Sequence, residues 1–186
     1  MKEVRRIIIK ATESKRFKGL LLRLDLENAF DKVVHNFLQK VLVKFGFPDQ
    51  FIQCVILFNG FLTQEIQKKS SVRQGCPLSM MLLVLYVEPL IRMIDRSVLG
   101  VLVYDKFLRV IAFADDMNIF LRNTEELDRV LNIIAVFSKF SKISLNLEKS
   151  QFLRINNCHG GPFQVTETGN LRILGIIFKT YLERNY

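Results

Sequence analysis

The chain has 186 residues, 49% of them hydrophobic, and 27 Lys and Arg against 18 Asp and Glu leave a net charge of +9. That length suits one domain with a real core, and 24% charged residues together with 16 Phe exclude a disordered, collagen-like or disulfide-rich secreted chain. The three cysteines, Cys54, Cys76 and Cys158, form no C-x-x-C pair and stand apart from His35 and His159, which argues against a zinc site or a disulfide framework. A reducing intracellular setting, nuclear or cytoplasmic and not secreted, is the expectation. Ile7 to Ile9 is too short for a signal peptide, and Met80 to Val87 is broken by Glu88 and Arg92, far short of a membrane span. The positive excess points to a polyanionic partner, although a basic surface also serves solubility.

In chain order, Gly19 to Asp25 (G-L-L-L-R-L-D) reads as a buried strand ending in a carboxylate. Phe37, Leu38, Val41, Leu42 and Phe45 then recur at helical spacing, and Gly46 and Pro48 end that helix. A second helix is expected over Asp49 to Phe58, a strand over Thr63 to Lys69 and a loop over Ser70 to Ser79. Ser79 to Arg96 is a long apolar helix that Pro89 should kink or split. Leu99 to Tyr104 and Phe107 to Phe113 read as strands joined by a turn at Asp105-Lys106. Asp115-Asp116 is placed at the tip of the next turn, before a strand from Met117 to Leu121. Asn123 caps a helix with Glu126 at the third position, and its apolar face is Leu127, Val130, Leu131, Ile134 and Phe137. Short strands and turns fill Leu145 to Phe178. The order predicts an α+β fold, a mainly antiparallel sheet with helices packed on one face.

The chemistry concentrates in three carboxylates, Asp25, Asp115 and Asp116, each ending or joining an apolar strand. An Asp at a strand end has a plain reading as a turn former. If the two strands are neighbours, however, the carboxylates converge on one edge of the sheet. Two like charges 4 Å apart cost about 4 kcal/mol at an effective dielectric near 20, so such a cluster needs cations or shifted pKa values. With no His or Cys nearby, an all-oxygen donor set favours Mg²⁺ or Mn²⁺, and two such ions serve in-line phosphoryl transfer.

Leu22-Arg-Leu-Asp25-Leu-Glu-Asn-Ala-Phe30-Asp31-Lys-Val33 resembles the first catalytic motif of reverse transcriptases from LINE-type (non-long-terminal-repeat) retrotransposons. Ser71-Val-Arg73-Gln74-Gly75-Cys76-Pro77-Leu78-Ser79 resembles their second motif, and Ile111-Ala-Phe-Ala-Asp115-Asp116 the third. Ser144-Leu-Asn146-Leu-Glu-Lys149-Ser150 is similar to the fourth, and Leu171-Arg-Ile-Leu174-Gly175-Ile-Ile-Phe178 to the fifth. Together the five cover nearly all of the chain from Gly19 to Phe178.

The resemblance implies an RNA-directed DNA polymerase with a polymerase palm-type sheet. Its substrates would be deoxynucleoside triphosphates, an RNA template and a DNA primer, and its cofactors two Mg²⁺ or Mn²⁺ ions. Asp25 and Asp115 would bind both metals, Leu26 would offer its backbone carbonyl, and Asp116 would be a third carboxylate. Phe30 would exclude a 2′-hydroxyl, and it also reads as a core aromatic. Arg73, Gln74 and Gly75 would line the nucleotide site, or form an ordinary Gly-Pro loop. Lys149 would protonate the leaving pyrophosphate, and reads equally as a solvated lysine. Leu174, Gly175 and Ile176 resemble a primer-grip hairpin, with a core reading beside it.

Asn28 stands where the family usually has Lys, and Phe113 where it has Tyr. Residues 1–186 would form the palm core, with fingers and thumb largely absent, as in a truncated copy. Two alternatives stand beside the polymerase: an inactive relic that at most binds nucleic acid, and an unrelated Mg²⁺-dependent phosphotransferase. No G-x-x-x-x-G-K-[ST] loop supports an NTPase.

Overall fold

The computed structural model describes residues 19–27, 29–60, 77–103, 106–113, 116–155, 165–173 and 176–179. In chain order the elements are β1 (Gly19–Glu27), α1 (His35–Lys44), α2 (Asp49–Gly60), α3 (Pro77–Ser97), β2 (Val101–Val103), β3 (Lys106–Leu108) and β4 (Val110–Phe113). There follow β5 (Asp116–Leu121), α4 (Thr124–Ser141), β6 (Ser144–Leu145), β7 (Gln151–Ile155), β8 (Thr166–Glu167), β9 (Asn170–Ile173) and β10 (Ile176–Lys179).

The apolar run that opens the described chain is the middle of the main sheet. β1 lies between β5 and β7 in the order β4-β5-β1-β7-β8, and β6 pairs with its C-terminal end. All these pairings are antiparallel except β7 with β8. Because strand side chains alternate, Leu20, Leu22, Leu24 and Leu26 face one way and Leu21, Arg23, Asp25 and Glu27 the other.

The first set enters the main core with Leu38 and Leu42 of α1, Ile52 and Val55 of α2, Tyr86 and Leu90 of α3, and Val130 and Ile134 of α4. All four helices therefore pack on one face of a mainly antiparallel sheet, the α+β arrangement that the element order predicts. On the other face Leu21, Phe120 and Leu153 form a smaller core with Val101 of β2 and Leu171 and Ile173 of β9. That cover ends at Leu21, and Arg23, Asp25 and Glu27 stay half-buried. An open polar edge at the C-terminal end of β1 is the result.

Several expected elements shift. α3 begins at Pro77, inside the stretch read as loop, where proline's missing N–H costs nothing and its φ suits a first helical turn. Pro89 does not split this helix, which runs unbroken for 21 residues. An interior proline costs about 3 kcal/mol. Tyr86, Val87, Leu90 and Ile94 are each at most 1% exposed around it, and burying one such side chain contributes about 1.5–3 kcal/mol, so packing wins.

The single strand expected over Phe107 to Phe113 divides at Arg109, with β3 pairing β2 and β4 pairing β5. The carbonyl of Arg109 still accepts the Phe120 N–H at 2.8 Å, so the chain changes partner within one residue. Asn123 caps α4 as expected, its side chain accepting the Glu126 N–H at 3.0 Å. The Glu126 carboxylate does not close a capping box on Asn123. It accepts instead the N–H groups of Arg122 and Leu99, both at 3.0 Å, which ties the start of α4 to the end of α3. The strand expected over Thr63 to Lys69 lies outside the described residues.

Candidate active site

The register of β1 against β5 makes Asp25 and Asp116 direct Cα partners. Cross-strand partners lie about 4.5–5.5 Å apart, so the convergence that two apolar strands ending in acids suggested is realised for this pair. Asp116 is not at the turn tip where the sequence reading put it. It is the first residue of β5 and is paired with Phe113 as well as with Asp25. Asp115 directly precedes it in sequence and lies outside the described residues.

The two acids are held differently. Asp116 Oδ1 accepts a hydrogen bond from the Arg23 guanidinium at 2.8 Å, with side chains 32% and 47% exposed for Arg and Asp. Asp25 is fixed through its backbone. Its N–H donates to Ser150 Oγ at 3.2 Å, and its carbonyl accepts the Asn146 N–H at 2.9 Å. Ser150 Oγ in turn donates to the Asn146 carbonyl at 2.7 Å, and the Lys149 N–H donates to Asn146 Oδ1 at 3.2 Å. The turn from Asn146 to Ser150 is thus clamped onto Asp25, and exposed Lys149 rides on it beside the carboxylate edge.

Further along β1, Lys32 Nζ donates to Glu27 Oε2 at 2.5 Å and to Ser144 Oγ at 2.7 Å, and Ser144 Oγ donates to Glu27 Oε2 at 2.6 Å. The hydrogen bond and charge of Lys32, helped by Ser144, hold the Glu27 carboxyl below its ordinary value. This triangle ties the turn after β1 to β6. Within that turn Phe30 is half-buried against the main core, and the Leu26 side chain is in that core. Beneath it Tyr86 joins three elements. Its hydroxyl donates to the Ser141 carbonyl at 2.7 Å and accepts the Val34 N–H at 3.1 Å. Burial pushes the Tyr86 phenol up to about 12.

The structure therefore pairs Asp25 with Asp116 beside Leu26 at the end of β1, with Lys149 on the clamped turn and Phe30 in the turn that follows the strand, against the main core. Arg73, Gln74, Gly75, Leu174 and Gly175 lie outside the described residues. Ile176 opens β10 opposite Ile173, in the small β9–β10 ladder. Sequence reading gave no role to Arg23, Asn146 or Ser150. Asn146 and Ser150 lie inside the fourth motif at a four-residue spacing that suits a turn clamp, and Arg23 is the one charge within G-L-L-L-R-L. Those were the available signals.

Among the described residues no three His, Cys, Asp or Glu side chains gather as a metal-ligand set. The described part supplies two half-exposed carboxylates in register at an open edge, and their all-oxygen chemistry fits Mg²⁺ or Mn²⁺ with Asp115 next in the chain. No helix among the described residues is long and apolar enough to cross a membrane.

Comparison with known proteins points the same way. A Xenopus laevis transposon TX1 149 kDa protein is 31% identical over 144 residues, which cover 71% of this chain and 11% of that protein. The Pol polyprotein of the Drosophila melanogaster R2DM retrotransposable element is 27% identical over 139 residues, covering 69% of this chain and 13% of that one. The chain thus matches a small part of each relative, and both relatives are non-long-terminal-repeat elements.

Among solved structures, apo telomerase from Candida tropicalis aligns with a TM-score of 0.63 at 14% identity, over 94% of this chain and 36% of that one. Telomerase from Candida albicans in complex with a fragment of telomeric RNA aligns with a TM-score of 0.63 at 13% identity, over 96% of this chain and 32% of that one. At those identities the likeness is one of fold, the palm-type polymerase fold. Residues 3–178 match the family of reverse transcriptases (RNA-dependent DNA polymerases), and with the in-register Asp25 and Asp116 on a palm-type sheet, this chain belongs to that family.

Proposed function

We propose that this chain is the palm portion of an RNA-directed DNA polymerase of a non-long-terminal-repeat element, which extends a DNA primer on an RNA template with deoxynucleoside triphosphates. The observation that carries the reading is the pairing of Asp25 with Asp116 at the open end of the central strand, in a chain of reverse-transcriptase family.

Asp25 and Asp115 would hold two divalent ions, Mg²⁺ or Mn²⁺, and the Leu26 carbonyl and Asp116 would add oxygen donors. When bound, such ions sharpen the primer 3′-hydroxyl as a nucleophile and offset the charge on the triphosphate. The protein's own part is positioning. The clamp of Asn146 and Ser150 keeps Asp25 from drifting, and misplacing a reacting group by about 1 Å costs on the order of a hundredfold in rate. Lys149, exposed on that clamp, delivers a proton to the departing pyrophosphate. Phe30, braced by the core and by the Glu27–Lys32–Ser144 triangle, closes the space a 2′-hydroxyl would need. Arg73, Gln74 and Gly75 contact the incoming nucleotide, and Leu174, Gly175 and Ile176 contact the primer end.

Primer extension on poly(rA)·oligo(dT) with Mg²⁺ or Mn²⁺, beside Asp25→Asn and Asp115→Ala, tests the reading. Incorporation that both substitutions abolish supports it. Salt-sensitive binding of template–primer with no incorporation would mean a nucleic-acid-binding relic, and hydrolysis of small phosphate esters without template would mean a phosphotransferase of another kind. For the sugar gate, Phe30→Val should raise ribonucleotide incorporation relative to deoxynucleotide, and an unchanged ratio removes Phe30 from that role.

A further inference from the structure

Arg23 is the one charge within the leucine run Leu20 to Leu24 of β1. It sits two residues before Asp25 on the same face of β1, directly opposite Asn118 of β5 and Gln151 of β7. One step deeper on this face, Leu21 belongs to the small apolar core, so the Arg23 stem crosses from apolar floor to polar rim. From there the guanidinium reaches diagonally to Asp116, meeting Oδ1 at 2.8 Å. A diagonal neighbour in an antiparallel pair is about 7–8 Å away, within reach of an arginine.

The geometry points to Arg23 as a positioning residue, an internal counter-ion that holds Asp116 when no cation is bound and competes with the cation for that carboxylate. The inference rests on the proposed metal site. Asp25 and Asp116 are cross-strand partners, an arrangement that like charges disfavour. A fixed guanidinium relieves that repulsion without metal and lets the strands pair in register. The same cation occupies Oδ1, the oxygen a divalent ion would use. Arg23 therefore stabilises the metal-free protein and weakens metal binding, two effects of opposite sign that a side chain present only for packing would not produce together.

The test uses the whole chain. Mn²⁺ binding is followed by the electron paramagnetic resonance of free Mn²⁺, and thermal unfolding is recorded without metal. Wild type is compared with Asp25→Asn, Arg23→Met, Arg23→Lys, Asp116→Asn and the double variant Arg23→Met/Asp116→Asn, with circular dichroism confirming the fold.

Freeing Asp116 Oδ1 from its charge-assisted hydrogen bond to Arg23 should tighten metal binding by about tenfold. Arg23→Met is expected to melt lower without metal and to bind Mn²⁺ about tenfold more tightly, with Arg23→Lys between it and wild type. In the Asp116→Asn background, Arg23→Met should change Mn²⁺ affinity by less than about twofold, because the competition acts through Asp116. Unchanged or weaker Mn²⁺ binding in Arg23→Met, or the same tightening in both backgrounds, overturns the inference and leaves the metal site standing. Wild-type protein with no saturable Mn²⁺ binding that Asp25→Asn abolishes would overturn the inference and the proposed metal site together. Should Arg23→Met not fold, Arg23→Lys decides on the same criteria.

Discussion

Ser150→Ala removes one oxygen at the point where the fourth motif grips the strand that carries Asp25. Ser150 is fully buried, and its Oγ accepts the Asp25 N–H at 3.2 Å while donating to the Asn146 carbonyl at 2.7 Å. After truncation the Asn146 carbonyl keeps a partner, because it also accepts the Ser150 N–H at 2.9 Å. The Asp25 N–H loses this acceptor in a place where the serine left no room for bulk water. A buried donor left unpaired costs about 1–3 kcal/mol, and a net hydrogen bond contributes about 1 kcal/mol, so a loss of about 2 kcal/mol is expected.

In a chain of this size each kcal/mol moves the midpoint by about 2–4 °C, which predicts a melting temperature about 4–8 °C lower. Calorimetry measures that loss, and amide hydrogen exchange shows whether it is local. The Asp25 amide should exchange faster, while amides on the helix side, such as that of Leu90, follow only the global change. A melting temperature within 1 °C of wild type, with unchanged Asp25 exchange, would refute the clamp as the feature that positions this carboxylate. If the clamp matters for catalysis, Ser150→Ala should also lower kcat in primer extension with little change in nucleotide KM.

Two further substitutions examine the frame around the site. Tyr86→Phe leaves the Ser141 carbonyl and the Val34 N–H without their shared hydroxyl, and should cost about 1–3 kcal/mol in urea unfolding. The phenol also sets a pH dependence: its value is raised from an ordinary 10.0 to about 12, so its contribution is complete below pH 10 and declines as pH rises towards 12. Tyr86→Phe should flatten that alkaline limb, and an equally steep decline in both proteins would assign it elsewhere. Gly100 has φ +69°, and a Cβ there would lie 2.3 Å from the Leu108 carbonyl oxygen. Gly100→Ala should therefore destabilise the β2–β3 ladder by more than about 2 kcal/mol, read as lost exchange protection from Val101 to Leu108. Gly46→Ala, at φ +81° with open space around its Cβ, should cost less, about 1 kcal/mol.

How much was legible from residues alone follows from the range of the forces involved. Local periodicity and turn chemistry placed β1, α1, α2 and α4, because apolar spacing and residues such as Gly46 and Asn123 act within a few positions of chain. The same reasoning failed where distant packing decides. Pro89 argues locally for a broken helix, and the buried face of α3 overrides it. Arg109 sits inside an uninterrupted strand pattern, yet the chain changes pairing partner there, from β2 for Lys106–Leu108 to β5 for Val110–Phe113.

The candidate site divides in the same way. Motif order by itself pointed to the family: carboxylates at strand ends and five segments in the order of a reverse transcriptase. Side-chain identity is a covalent fact, and its pattern needs no fold to be read. What only the tertiary structure decided is how those carboxylates are held. That Asp116 faces Asp25 and not a turn tip, that Arg23 reaches it diagonally, and that Asn146 and Ser150 grip the Asp25 backbone are all matters of register between strands more than ninety residues apart. Register is set by the leucines that the far side of β1 must bury, since a one-residue slip would turn every one of them towards water. The packing of one face of the strand thus fixes the chemistry of the other.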